Sequence, residues 1–205
     1  MKKIKFYSLW FVLINVIVFG IQSMFEGFTE MFVLNQLAYS QYWRFVTSIF
    51  LHGSMVHLMY NMFALLFFGF ALEKTIGSRR FLLVYFGSGI IANIISINFY
   101  PSSLGASGAI MGIIGALTIL RPMMMVWAFG LILPMFIAAI LWIIGDILGI
   151  FMPSNVGNIA HLSGVGIGLI VGILLRRNLK RKKKQNNRIE IPHFYMKNWE
   201  DRNMR

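Results

Sequence analysis

Apolar positions run almost unbroken through six stretches of the chain, residues 8–24, 55–72, 81–97, 107–120, 123–144 and 159–175. Arg44, the segment from Glu73 to Arg80, Tyr100-Pro101-Ser102-Ser103, Arg121-Pro122 and Pro153-Ser154-Asn155 separate them. Crossing about 30 Å of hydrocarbon takes roughly 20 apolar residues in a helix. The pattern therefore predicts an all-α polytopic membrane protein, a bundle of six transmembrane helices over residues 1–175. The fourth segment is the exception. Its 14 residues, from Ser107 to the stop at Arg121-Pro122, rise only about 21 Å. The residues before it, Ser102 to Ala106, then form non-helical backbone at membrane depth, which is tolerated only beside protein or a water-filled cavity. A short central fourth helix with Ser107 on the floor of an aqueous pocket is expected.

Charge orients this bundle. Of a net +12, residues 1–175 carry 8 Lys/Arg against 4 Asp/Glu, and residues 176–205 carry 11 against 3. With the N-terminus cytoplasmic, Lys2, Lys3, Lys5, Lys74, Arg79, Arg80, Arg121 and the tail all face inward, leaving Arg44 alone outside. Both termini are thus expected in the cytoplasm, and the first segment, which lacks a cleavage site, is expected to be retained. The basic tail is read as a cytoplasmic appendix that retains topology and attracts anionic lipid of the bilayer. It has no interleaved aromatics to suggest nucleic acid. Zero cysteines exclude disulfides and thiol chemistry.

Polar residues inside apolar segments stand out as functional candidates. His57 and Asn61 lie four apart on one face of the second segment, His52 precedes it, and His161 begins the sixth. Gly164, Gly168 and Gly172 share the His161 face, while Gly108, Gly112 and Gly115 follow Ser107. Two such stripes could pack closely and bring His161 toward Ser107. Ser107 flanked by Gly105 and Gly108 also reads as a plain N-cap. A metal site is disfavoured, because the body's acids, Glu26, Glu30, Glu73 and Asp146, supply no His-Glu-x-x-His pattern. A proton path lacks its chain of carboxylates. Nucleophile, base and amide donor are what acyl transfer needs.

Gly105-Ala106-Ser107-Gly108, with His57-x-x-x-Asn61 before it and Ala160-His161-Leu162-Ser163-Gly164 after it, resembles the rhomboid family of intramembrane serine proteases. Trp43-Arg44, His52, Glu73-Lys74 and Gly77-Ser78 agree with it, so the resemblance covers about residues 41–172. It implies a serine endopeptidase with Ser107 as nucleophile and His161 as general base, a dyad without a third acid, and no cofactor. His57, Asn61 and the Ser107 N–H would form the oxyanion hole. His52 would support its loop, Glu73 would be a structural partner at the cytoplasmic end, and Trp43-Arg44 an outer-loop motif. Met111 stands where many relatives have an aromatic residue against the histidine, and Ser163 where glycine or alanine is usual.

By the same resemblance, substrates are single-pass transmembrane proteins, admitted between the second and fifth helices beneath a cap formed by residues 148–158. The site would open to the extracytoplasmic side of the plasma membrane. A rhomboid-like binding protein or chaperone that does not cut, and a small transporter, remain as alternatives.

Overall fold

A computed structural model describes residues 4–152, 156–186 and 193–204. Its longer helices are α1 (Tyr7–Met24), α2 (Met55–Ile76, with a π turn over Leu65–Gly69), α3 (Ser78–Ser96), α4 (Ser107–Leu120), α5 (Met135–Ile150), α6 (Asn158–Asn186) and α7 (His193–Asn203), with short helical turns between α1 and α2. Two short antiparallel pairs interrupt the all-helical expectation: β1 (Leu34–Asn35) with β2 (Ser102–Ser103), and β3 (Met125–Ala128) with β4 (Leu131–Pro134). Among the described residues, Tyr7–Met24, Met55–Ile76 and the Asn158–Leu179 part of α6 are long and apolar enough to cross a membrane, while α4 and α5 are apolar but shorter. The chain is a multi-pass membrane protein. The expected boundary at residue 175 falls inside α6, which continues helical to Asn186.

The fifth segment is corrected. Residues 123–134, expected to open a span, instead form a turn and then the β3–β4 hairpin over residues 125–134, and α5 begins only at Met135. Pro134 has no N–H to give and takes the cap position of α5. Phe129 and Gly130, at φ 55° and 77°, make the two-residue turn whose twist suits a hairpin. An apolar run alone does not distinguish the two outcomes.

α4 lies at the centre, buried from Gly108 to Leu117. Its glycines admit neighbours on two sides. A Cβ on Gly164 or Gly168 of α6 would strike the carbonyl oxygens of Gly108 and Gly112, and one on Gly172 would lie 3.1 Å from Ala116. The register 108–164, 112–168, 116–172 makes α4 and α6 parallel, backbone against backbone. On the other side α3 seats Ala92 2.9 Å from where a Gly108 Cβ would be, and the Ser88 hydroxyl where a Gly112 Cβ would be. The expected glycine stripes therefore meet, since small residues let dispersion act between backbones where lipid supplies no hydrophobic drive.

Two buried charges fasten the ends. Glu73, fully buried in α2, accepts hydrogen bonds from the Tyr7 and Ser8 N–H groups (both 3.0 Å), the Ser8 hydroxyl (3.0 Å) and the Ser78 hydroxyl (2.6 Å). It thus satisfies the free N-terminal donors of α1. Arg44 donates from Nη1 to the Glu30 and Val33 carbonyls (both 2.8 Å) and from Nε to Gln41 Oε1 (2.6 Å), holding the loop between α1 and α2. Trp43 beside it is exposed.

Candidate active site

Ser107 is the first residue of α4. The cap position belongs to Ala106, whose side chain makes no capping bond, so the plain N-cap reading of Ser107 does not hold. Among the described residues the half-buried Ser107 hydroxyl has no hydrogen-bond partner. The approach to it is fixed. β2 pairs with β1, the Gly105 N–H donates to the Ser48 carbonyl (2.9 Å), and Asn93 of α3 donates to the Ser48 hydroxyl (3.0 Å). Gly105 has φ +122°, a conformation that side-chain-bearing residues rarely adopt. The first N–H groups of α4 have no partner within the helix and carry its positive dipole end.

From α2, the His57 ring lies against Gly105, its Cε1 and Nε2 2.7 and 2.9 Å from where a Cβ would sit. Buried Asn61 donates from Nδ2 to the His57 carbonyl (2.9 Å), which leaves one amide hydrogen unused. His52 is 2% exposed and packs edge-on against the His57 ring at 5.1 Å between centroids. Its backbone is held by Gln22 of α1, which accepts from the His52 N–H (3.0 Å) and donates to the His52 carbonyl (3.3 Å). Burial, then the neighbouring His57 charge, pushes the His52 imidazole down to about 4. His52 is therefore neutral at physiological pH.

His161 lies in the first turn of α6, the Tyr100 hydroxyl accepting from the Ile159 N–H of that turn (3.1 Å). The α4–α6 seam brings their starts together: the Ala160 carbonyl lies 3.7 Å from a Cβ placed on Gly108, so the residues next to Ser107 and His161 are neighbours. Met111 is buried one turn below Ser107 in the core.

The resemblance implies a dyad without a third acid; in the fold, however, a carboxylate does reach the histidine, His161 Nδ1 lying 2.9 Å from Asp146 Oδ1 of α5. Spacing concealed this, because Asp146 and His161 lie on different helices and meet only through tertiary packing. Gln22 was missed as well; a polar residue within the first apolar segment was its available signal. The cap expected over residues 148–158 includes 153–155, outside the described residues. Among those described, no group of three His, Cys, Asp or Glu is placed to hold a metal.

Residues 39–178 match the family model described as the Rhomboid domain. The chain is 35% identical over 150 residues to the rhomboid protein YdcA of Bacillus subtilis (strain 168), a match spanning 71% of this chain and 73% of YdcA. It is 48% identical over 82 residues to the rhomboid protease GluP of the same organism, covering 40% of this chain and 16% of GluP. With RHOMBOID-like protein 4 of Arabidopsis thaliana it shares 35% identity over 135 residues, 65% of this chain and 34% of that one. The chain thus spans most of YdcA but only a minor part of the other two. The chain belongs to the rhomboid family.

Proposed function

We propose that this protein is an intramembrane serine endopeptidase of six spans, working by a covalent acyl-enzyme on Ser107. The observation that carries this reading is the start of α4: a hydroxyl with no partner among the described residues, beside the N–H groups of a helix start, where α4 and α6 pack on glycine and His57 packs on Gly105. The Ser107 Oγ attacks the scissile carbonyl carbon and its proton passes to His161 Nε2. The developing oxyanion is held by the Ser107 N–H, the free Asn61 amide hydrogen and the His57 ring. Collapse of this intermediate breaks the C–N bond, and His161 returns the proton to the leaving amine. Water then attacks the ester as His161 takes its proton, and Ser107 is regenerated.

Charge supports an orientation. The start of α1 is bonded to Glu73 at the end of α2 and to Ser78 at the start of α3, so Lys5, Lys74, Arg79 and Arg80 gather at one end of the bundle. Arg121 and the basic stretch of α6 follow the parallel α4 and α6 toward the end away from Ser107. Basic ends face the cytoplasm, so the site opens to the extracytoplasmic side of the plasma membrane. Single-pass membrane proteins are the substrates, and the basic tail meets anionic lipid.

The test is cleavage of a fluorogenic transmembrane substrate in proteoliposomes by the wild type, Ser107→Ala and His161→Ala. Wild-type cleavage falling to background in both variants is expected. Equal cleavage by all three would overturn the assignment. Binding of substrate without cutting by any of them would instead establish a binding protein.

A further inference from the structure

Asp146 is the only acid between Glu73 and Glu190 in the sequence, and it lies in a helix otherwise built of apolar residues and glycine. It is 8% exposed, and among the described residues its one hydrogen-bond partner is His161. Among the described residues no Lys or Arg is paired with it. A buried carboxylate is expensive unless its partner satisfies it, so a lone aspartate in this position requires a compensating contact. The contact it makes is at His161 Nδ1, 2.9 Å from Oδ1.

The direction of that bond follows from chemistry. An ionised carboxylate only accepts, so opposite it a neutral imidazole carries its proton on Nδ1 and leaves Nε2 unprotonated. A second contact one turn further along reinforces the first. The Asn158 side chain lies 2.7–2.9 Å from where a Cβ on Gly149 would be, so residues 146 and 149 of α5 meet 161 and 158 of α6. Glycine at 149 lets α5 approach closely enough for the carboxylate to reach the ring.

We propose that Asp146 is a positioning residue for His161, holding the imidazole in the Nδ1–H tautomer with Nε2 available to Ser107, and that α5 delivers it. This inference rests on His161 acting as the general base. Its function is that of a carboxylate orienter behind a histidine base, where loss of the acid leaves the wrong tautomer populated. Because the acid rides on α5 while Ser107 and His161 ride on the α4–α6 seam, cleavage competence depends on α5 being seated.

The experiment compares wild type, Asp146→Asn, Asp146→Glu and Ser107→Ala in proteoliposomes with the same transmembrane substrate, and records ¹⁵N spectra of the histidine rings in Ser107→Ala and in Ser107→Ala with Asp146→Ala. The expected result is a fall in kcat of at least about tenfold for Asp146→Asn, by analogy with removal of an orienting acid, with KM little changed and partial recovery in Asp146→Glu. The spectra should show His161 protonated at Nδ1 when Asp146 is present and a mixture of tautomers when it is replaced. Cleavage by Asp146→Asn within twofold of wild type, with Ser107→Ala inactive, would overturn this proposal and leave the protease reading intact. An unchanged His161 tautomer in the Asp146→Ala spectrum would overturn it whether or not the wild type cleaves. Cleavage surviving in Ser107→Ala would instead strike the protease reading. Asp146→Asn preserves shape, and its thermal midpoint shows whether a kinetic loss reflects unfolding.

Discussion

Two helices flank the start of α6 in opposite ways. α4 meets it along a full row of glycines, with backbone touching backbone at Gly108–Gly164, Gly112–Gly168 and Ala116–Gly172. α5 meets it chiefly through one polar pair, Asp146 with His161, and the Asn158–Gly149 contact beside it. Most of the remaining α5 surface faces outward: Ile140, Leu141, Ile144, Ile147, Leu148 and Ile150 are exposed, and only Met135, Ala138, Ala139 and Asp146 are buried. The difference separates two tasks. Close packing over about two turns fixes positions and resists change, because no side chain can rearrange to absorb an intrusion. α5 is held by Met135, Ala138 and Ala139 in the core and, at the start of α6, by a buried hydrogen bond, an interface less closely packed than the α4–α6 seam.

This contrast can be broken most severely in the seam. Gly168→Val puts branched carbon onto the Gly112 carbonyl, which cannot move without shifting α4. A loss of about 3 kcal/mol or more is expected, seen as a collapse of the thermal midpoint in detergent. Wild-type stability in that variant would mean that the two backbones are not in contact.

Glu73→Gln comes next. It removes the charge and one acceptor from a group serving four donors, leaving N–H groups of Tyr7 and Ser8 poorly satisfied. About 2 kcal/mol of stability should be lost, with no change in the ring spectrum of His161. A change in that spectrum would show that the far end of the bundle and the site are not independent.

Acidification also finds His52, which packs behind His57. His52 titrates near 4 in the fold and near 6.5 when unfolded, so the unfolded chain binds the extra proton first as pH falls. The stability tied to neutral His52 is fully present above pH 6.5 and is lost progressively between about 6.5 and 4. About 1 kcal/mol should disappear between pH 7 and 5.5, and His52→Phe should flatten that slope. An equal slope in the variant would assign it to another group.

The smallest effect belongs to α5. Gly149→Ala places a methyl against the Asn158 amide, the end of a side chain that can move. The global midpoint should shift by less than about 1 kcal/mol, while the Asp146–His161 contact, read from the His161 ring spectrum, weakens. A large global loss would make α5 as rigidly built in as α4.

Sequence alone determined much of this protein. The unbroken apolar run and the stop at Arg121-Pro122 placed α4 at Ser107–Leu120, since length and proline are local properties. The spacing of Gly108, Gly112, Gly164 and Gly168 was enough to anticipate that two helices meet, because a helix face is set by sequence separation. Polar residues in apolar stretches identified Ser107, His57, Asn61 and His161 as the positions to examine.

Apolarity was silent on whether residues 125–134 extend a helix or fold into a hairpin, which the local signals of Pro134 and the Phe129-Gly130 turn settled. Tertiary structure decided what meets at the site. That Asp146 faces His161 depended on how far α5 approaches α6, which Gly149 permits and no spacing within either helix encodes. A residue's face is written in its neighbours along the chain, but its partner across an interface is fixed only when two helices take up one relative position.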